Sequence, residues 1–127
     1  MAGSIAIFLF AHQDDECGCL YEIHRLVSRG DKVFIAYLTS GSLDGSPSPI
    51  RDAESKKVLT RLGVDKSNIF FLGSEARIPD GRLSGHLEVG FCAINELIVK
   101  IGTPQRLYFL AWEGGHQDHD AVHLIGI

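Results

Sequence analysis

Long apolar runs are missing from these 127 residues. The longest uninterrupted one, Ile5 to Ala11, falls far short of the ~20 residues a helix needs to cross a bilayer. The N-terminus lacks the basic, then apolar, then small-residue pattern of a secretory signal. Long basic runs are missing too. With 12 basic and 16 acidic residues and a formal net charge of −4, nothing predicts a nucleic-acid or anionic-membrane surface. Cysteine is scarce: Cys17, Cys19 and Cys92 form an odd set with two almost adjacent, a poor disulfide framework. They read as small buried residues of a reducing compartment. Together these absences predict a cytoplasmic protein with no membrane or nucleic-acid partner.

What is present is an ordinary globular balance, 45% hydrophobic and 22% charged. It excludes a disordered chain, a collagen-like chain and a disulfide-dense miniprotein. The length suits one domain over residues 1–127 and lies near the lower limit for a complete α/β enzyme.

Short apolar runs alternate with longer amphipathic stretches. Strands are predicted at Ile5–Phe10, Lys32–Tyr37, Asn68–Leu72 and Arg106–Leu110. The first is apolar throughout, as a strand buried on both faces must be. Helices are predicted from about Cys17 to Ser28, Arg51 to Leu62, Leu87 to Ile101, and near the C-terminus. In the first of these, Leu20, Ile23 and Val27 fall at helical spacing. Tyr21, Tyr37 and Tyr108 read as core or interface aromatics. Gly, Ser and Pro between Thr39 and Pro49 mark a loop. Strands separated by helices pair in parallel. Right-handed crossovers then give a Rossmann-like, doubly wound α/β sheet in three layers, with strand order 3-2-1-4.

Two polar clusters stand out. His12, Asp14, Asp15 and Glu16 follow the first strand; His116, Asp118, His119 and Asp120 follow the fourth. In the order 3-2-1-4 those strands are neighbours, and both clusters emerge at the crevice where such sheets bind ligands. The first turn carries three carboxylates, which repel a phosphate, and it lacks the glycines of a dinucleotide fingerprint. A divalent cation fits imidazole and carboxylate donors better, and a site with open positions is catalytic rather than structural. Each cluster alone has a plain alternative, acids at a helix start for the first and a solvated turn for the second. Their convergence is what makes the metal reading specific. Trp112 and Glu113, just before the second cluster, are placed to line a pocket, and packing serves Trp112 equally well. His24, His86 and His123 have no comparable neighbours.

At these residues the sequence resembles the LmbE-like, or PIG-L-like, N-acetylglucosaminyl deacetylases. Their Ala-His-Pro-Asp-Asp-Glu motif corresponds to Ala11-His12-Gln13-Asp14-Asp15-Glu16, and their His-x-Asp-His motif to His116-Gln117-Asp118-His119. A Thr-x-Gly loop is matched at Thr39–Gly41, and an Arg-x-x-Glu helix start at Arg51–Glu54. The resemblance implies a zinc ion held by His12, Asp15 and His119; an imidazole–carboxylate triad accepts ferrous iron as well. It implies Asp14 as general base, His116 as oxyanion stabiliser and acid, Asp118 as the carboxylate orienting a site histidine, and Arg51 on the substrate. The reaction implied is removal of an N-acetyl group from an amino sugar or glycoside by zinc-bound water, whose pKa falls toward ~7.

Two positions depart from the pattern. Gln13 replaces the proline of the first motif, and Gln117 stands where the second often has one. Family members also continue well beyond the second motif, whereas this chain ends at Ile127. The expectation is that the C-terminal part of the family domain is missing and the edge beside the fourth strand is left uncovered. That predicts a homo-oligomer or a fragment. The alternative function is a catalytically inactive relative serving as a metal-binding, sugar-binding or interaction module.

Overall fold

The computed structural model describes residues 3–127. Four parallel strands, β1 (Ile5–Phe10), β2 (Lys32–Tyr37), β3 (Ile69–Phe70) and β4 (Arg106–Phe109), form one sheet in the order β3-β2-β1-β4. This is the predicted order. β1 pairs along its whole length with β2, from Ile5 opposite Lys32 to Phe10 opposite Tyr37, and with β4 from Ala6 opposite Arg106 to Leu9 opposite Phe109.

Strand alternation sends β1 side chains into two cores. Ile7 and Leu9 pack on one face with Phe34, Ala36, Ile94, Leu97 and Val122. Ala6, Phe8 and Phe10 pack on the other with Ile23, Leu26, Ile35 and Leu59. The helices supplying these partners are α1 (Leu20–Ser28) and α2 (Pro49–Arg61) on one side, α4 (Leu87–Ile101) and α5 (Gln117–Gly126) on the other. Two covered faces explain why β1 is apolar at every position. Among the described residues, no helix is long and apolar enough to cross a membrane.

Four local expectations change. The third strand is only two residues long, and Leu72–Glu75 forms a short helix, α3. The chain leaves the sheet there because Gly73 runs against the backbone of Leu38 and Thr39; a Cβ on it would lie 2.3 Å from Thr39. The first helix is preceded by a 3-10 turn, Asp15–Cys19, and buries Ile23 and Leu26, while Leu20 and Val27 stay half-buried. Tyr21 is exposed, unlike Tyr37, which lies in the core. Cys17 and Cys92 are exposed and Cys19 half-buried, so the cysteines are not core residues. Cys17 falls on the solvent side of the 3-10 turn, and Cys92 lines the open cavity between α4 and Phe70.

Candidate active site

β1 and β4 are adjacent and parallel, so both polar clusters leave the same end of the sheet. His12 follows β1 directly and is 7% exposed. Its Nε2–H donates to Asp118 Oδ2 at 2.7 Å and lies 3.2 Å from Asp80 Oδ1. A neutral imidazole bonded this way keeps Nδ1 as its lone-pair nitrogen, and Nδ1 is 3.9 Å from Asp15 Oδ2. Burial alone pulls the His12 pKa down. The Asp118 bond and the charges of Asp15 and Asp80 outweigh it, so the ring titrates above its ordinary value.

Asp15 is fixed by the backbone. Its Oδ2 accepts the amides of Ala11 at 3.0 Å and His12 at 2.8 Å. Its Oδ1 is left 3.3 Å from His119 Nε2. His119 turns its Nδ1 to the Glu113 carboxylate. Two carboxylate–histidine pairs, Asp118–His12 and Glu113–His119, therefore aim their remaining nitrogens at Asp15. Metal-binding histidines are oriented this way in general.

Asp118 is wholly buried. It accepts the amides of Gly81 at 2.6 Å and Leu83 at 3.0 Å in addition to the His12 bond. Burial raises its pKa, but these three donors more than offset that, and it titrates below the usual carboxylate range. The Asp118 amide in turn donates to His116 Nδ1 at 3.2 Å. The His116 ring is exposed and stacks on His119, with centroids 4.5 Å apart.

His12, His116 and His119 each offer a ring nitrogen within 4.8 Å of the others. Three imidazoles beside an oriented carboxylate are a donor set suited to zinc or ferrous iron, so the residues present fit a divalent cation. His12, Asp80 and Asp118 form a second such group. There both Asp118 and His12 already serve the contacts just described.

Asp14 stands at the mouth with its side chain 76% exposed. Its φ is +98°, unusual for a residue with a side chain. Among the described residues its carboxylate lies within ion-pair range of Arg51 alone, at 3.9 Å. Arg51 donates to the carbonyls of Gly41 and Gln13, both at 2.9 Å, and sits 3.8 Å from Asp80. A cleft of about 230 Å³ runs past Gln13, Asp14, Glu16, Cys17 and Arg51. A larger cavity, about 650 Å³, lies elsewhere, against Phe70 and Leu97, and none of the clustered histidines borders it.

The structure thus brings together His12, Asp15, His116, Asp118 and His119, and leaves Asp14 and Arg51 on the rim. Asp80 escapes a reading of the sequence. It sits in a Gly/Pro/Asp loop, where aspartate is by default a turn residue, and no spacing marks it. Asp118 orients His12, a partner that the sequence leaves open. Trp112 stays exposed beside His123 rather than facing the cluster. His24, His86 and His123 bond locally to Ser28, Arg82 and Leu110, outside the site.

The fold is similar to the crystal structure of the conserved protein TT1542 from Thermus thermophilus. The TM-score is 0.74 and the identity 21%, over 96% of this chain and 52% of that one. This chain therefore spans about half the length of that structure, and the likeness at this identity concerns the fold alone. No curated protein matches the chain. Residues 7–127 match the family described as PIG-L, GlcNAc-PI de-N-acetylase. That match runs from β1 through the second cluster, so it covers both motifs and the crevice between them, and the chain belongs to the PIG-L family.

Proposed function

We propose that the chain is a metal-dependent hydrolase that removes the N-acetyl group of an N-acetylglucosamine-type amino sugar or glycoside, releasing acetate and the free amine. One observation carries this reading. In a PIG-L domain, two histidines oriented by carboxylates, His12 and His119, face the backbone-fixed Asp15.

His12, Asp15 and His119 are the proposed ligands, and zinc the proposed metal. Such a cation, when bound, acidifies water toward pKa ~7 and polarises the amide carbonyl. Asp14 is exposed and is not one of the proposed ligands, so its carboxylate is available to take the proton of the attacking water. His116 keeps Nδ1 on the Asp118 amide, which leaves Nε2 to donate to the developing oxyanion and then protonate the departing nitrogen. The amide C–N bond breaks, the water oxygen stays on the acetate, and the amine leaves with the delivered proton. Asp118 holds His12 rather than touching substrate. Arg51 meets the sugar from the rim.

The test is metal content per chain on protein purified without chelator, with His119→Ala alongside, followed by acetate release from a panel of N-acetyl sugars. About one zinc or iron per chain, lost in the variant, together with acetate release supports the proposal. Metal binding without any release sinks the catalytic part. No binding after zinc addition sinks the metal site as well. For partners, we propose a second copy of this chain. β4 is the outer strand of the sheet and offers a backbone edge that no strand covers among the described residues. A monomer by sedimentation at tens of micromolar overturns that.

A further inference from the structure

Gln13 is 2% exposed, and its side chain is used on one side only. Nε2 donates to Ser40 O at 3.1 Å and to Asp52 Oδ1 at 2.6 Å. Oε1 is buried with no hydrogen-bond partner and is packed so closely on Gly41 that a Cβ there would lie 2.3 Å from it. A buried carbonyl left unsatisfied is a cost that a Leu or Met filling the same space would avoid. The two bonds made by the amide nitrogen are what distinguish glutamine here. They join the loop after β1 to the loop after β2 and to the first turn of α2. The main chain adds a third tie, from Arg51 Nη2 to Gln13 O at 2.9 Å.

The residue held by these ties is Asp14. Its φ of +98° is one that a residue with a side chain keeps only when its surroundings over-determine it. The Asp14 side chain makes no capping bond, but the backbone closes around it: His12 O accepts the Asp15 amide at 3.2 Å and Asp14 O accepts the Cys17 amide at 3.0 Å. Further restraint comes from its two sides. Glu16 Oε2, buried and bonded to the Tyr37 hydroxyl at 2.9 Å, accepts the Asp14 amide at 2.9 Å. On the other side, Gln13 is itself anchored to α2, which also carries Arg51.

We infer that Gln13 is a positioning residue: its side-chain amide clamps the Asp14 turn to the start of α2 and so keeps Asp14 and Arg51 on one rim of the crevice. The catalytic consequence rests on the deacetylase reading above. The structural consequence does not.

The test uses the full chain loaded with zinc. Values of kcat and KM for acetate release are measured for Gln13→Ala, for Asp14→Ala and for the double variant, with amide hydrogen exchange at Asp14 as a readout independent of activity. Gln13→Ala is expected to lower kcat about tenfold, since small misplacements of a reacting group are costly, with a smaller rise in KM. In the Asp14→Ala background the same change is expected to cost less than about twofold, because it acts through Asp14. A loss that persists undiminished in that background, or a kcat within about twofold of wild type, overturns the inference. If zinc-loaded wild type releases no acetate, the deacetylase reading fails by itself and exchange decides. An Asp14 amide exchanging at least about fivefold faster in Gln13→Ala, with β1 and β2 amides unchanged, supports the clamp. An unchanged rate overturns it. Should Gln13→Ala not fold, Gln13→Met keeps the volume, drops the donor and takes its place.

Discussion

The two halves of the crevice are built differently. The half after β1 stands on the central strand of the sheet, hydrogen-bonded on both sides. His12, Gln13 and Glu16 are buried there, and backbone amides fix Asp15. The half after β4 stands on an edge strand whose side chains are at most half-buried, and the chain from Ala111 to Gln117 is exposed. Asp118 is the exception: it is sunk completely and tied to the 81–83 loop and to His12. One half inherits its order from the core, and the other takes it from carboxylates: Asp118 beneath it, and Asp120, whose Oδ1 accepts the amides of Glu113 at 2.8 Å and Gly114 at 3.2 Å.

If that is right, Asp118→Ala is the most damaging change in the site. It strands the Gly81 and Leu83 amides and removes the His12 partner in one step. Losing one member of a buried, hydrogen-bonded pair costs about 3–5 kcal/mol, to be read from urea unfolding. Metal retention is expected to fall about 10–100-fold as well, because the orientation of His12 is lost. A loss below about 1 kcal/mol would show that the outer half does not depend on Asp118.

Close packing sharpens the same contrast. A Cβ on Gly73 would lie 2.3 Å from Thr39 backbone atoms, whereas one on Gly126 would lie 2.4 Å from the Phe109 ring. Both overpack, in the range of about 1–3 kcal/mol. Gly73→Ala meets main chain beside the central strands and belongs at the top of that range. Gly126→Ala meets Cγ and Cβ of Phe109 on the edge strand; ring rotation does not clear these atoms, so relief comes from a shift of that strand and of the last turn of α5, and the loss belongs at the bottom. Equal losses in urea midpoints would mean that the edge is as rigid as the centre.

The proposed ligands separate the halves again. His119→Ala removes a half-exposed ring and is expected to change the stability of metal-free protein by less than about 0.5 kcal/mol. His12→Ala removes a buried ring bonded to a buried carboxylate and is expected to cost at least about 2 kcal/mol. Both variants should lose metal, as measured by metal analysis.

The inner half is the more legible in sequence. An unbroken apolar run names β1 as central, and strand–helix alternation gives the order 3-2-1-4 without any contact information. His12 and Asp15 can be placed because they follow that strand directly. Asp80 cannot: it enters the site only because Ser42 O accepts its amide and Ile78 O accepts that of Ser40, and such loop-to-loop bonds leave no periodic trace. The apolar run through Phe71 and Leu72 makes the third strand look longer than it is. The close approach of Gly73 to β2 ends it earlier, and that constraint belongs to tertiary packing. Leu26 rather than Val27 fills the α1 core because the sheet lies under one side of an apolar stripe that sequence spacing defines only to within a residue.

The smallest expected effect concerns the tie between the halves on the opposite face. Tyr108 of β4 donates its hydroxyl to Glu22 Oε1 at 2.6 Å, and Arg25 of α1 donates to both Glu22 oxygens at 2.6 and 2.9 Å. The Arg25 bonds first, and the Tyr108 bond second, hold the Glu22 carboxyl down at about 2 from an ordinary value of 4.5. A carboxylate depressed in the folded state adds stability above its unfolded pKa, and that stability drains away as pH falls through the window between the two values. Glu22→Gln removes the titration. Urea midpoints of wild type and variant are therefore expected to differ most at pH 7 and to converge between pH 4.5 and 2. Because the pair is solvated, the difference at pH 7 is expected to be small and to shrink further in 1 M salt. Parallel pH curves for the two proteins would mean that the edge strand does not lean on α1 through this carboxylate, and that its hold on the sheet comes from the β1 ladder and α5 alone.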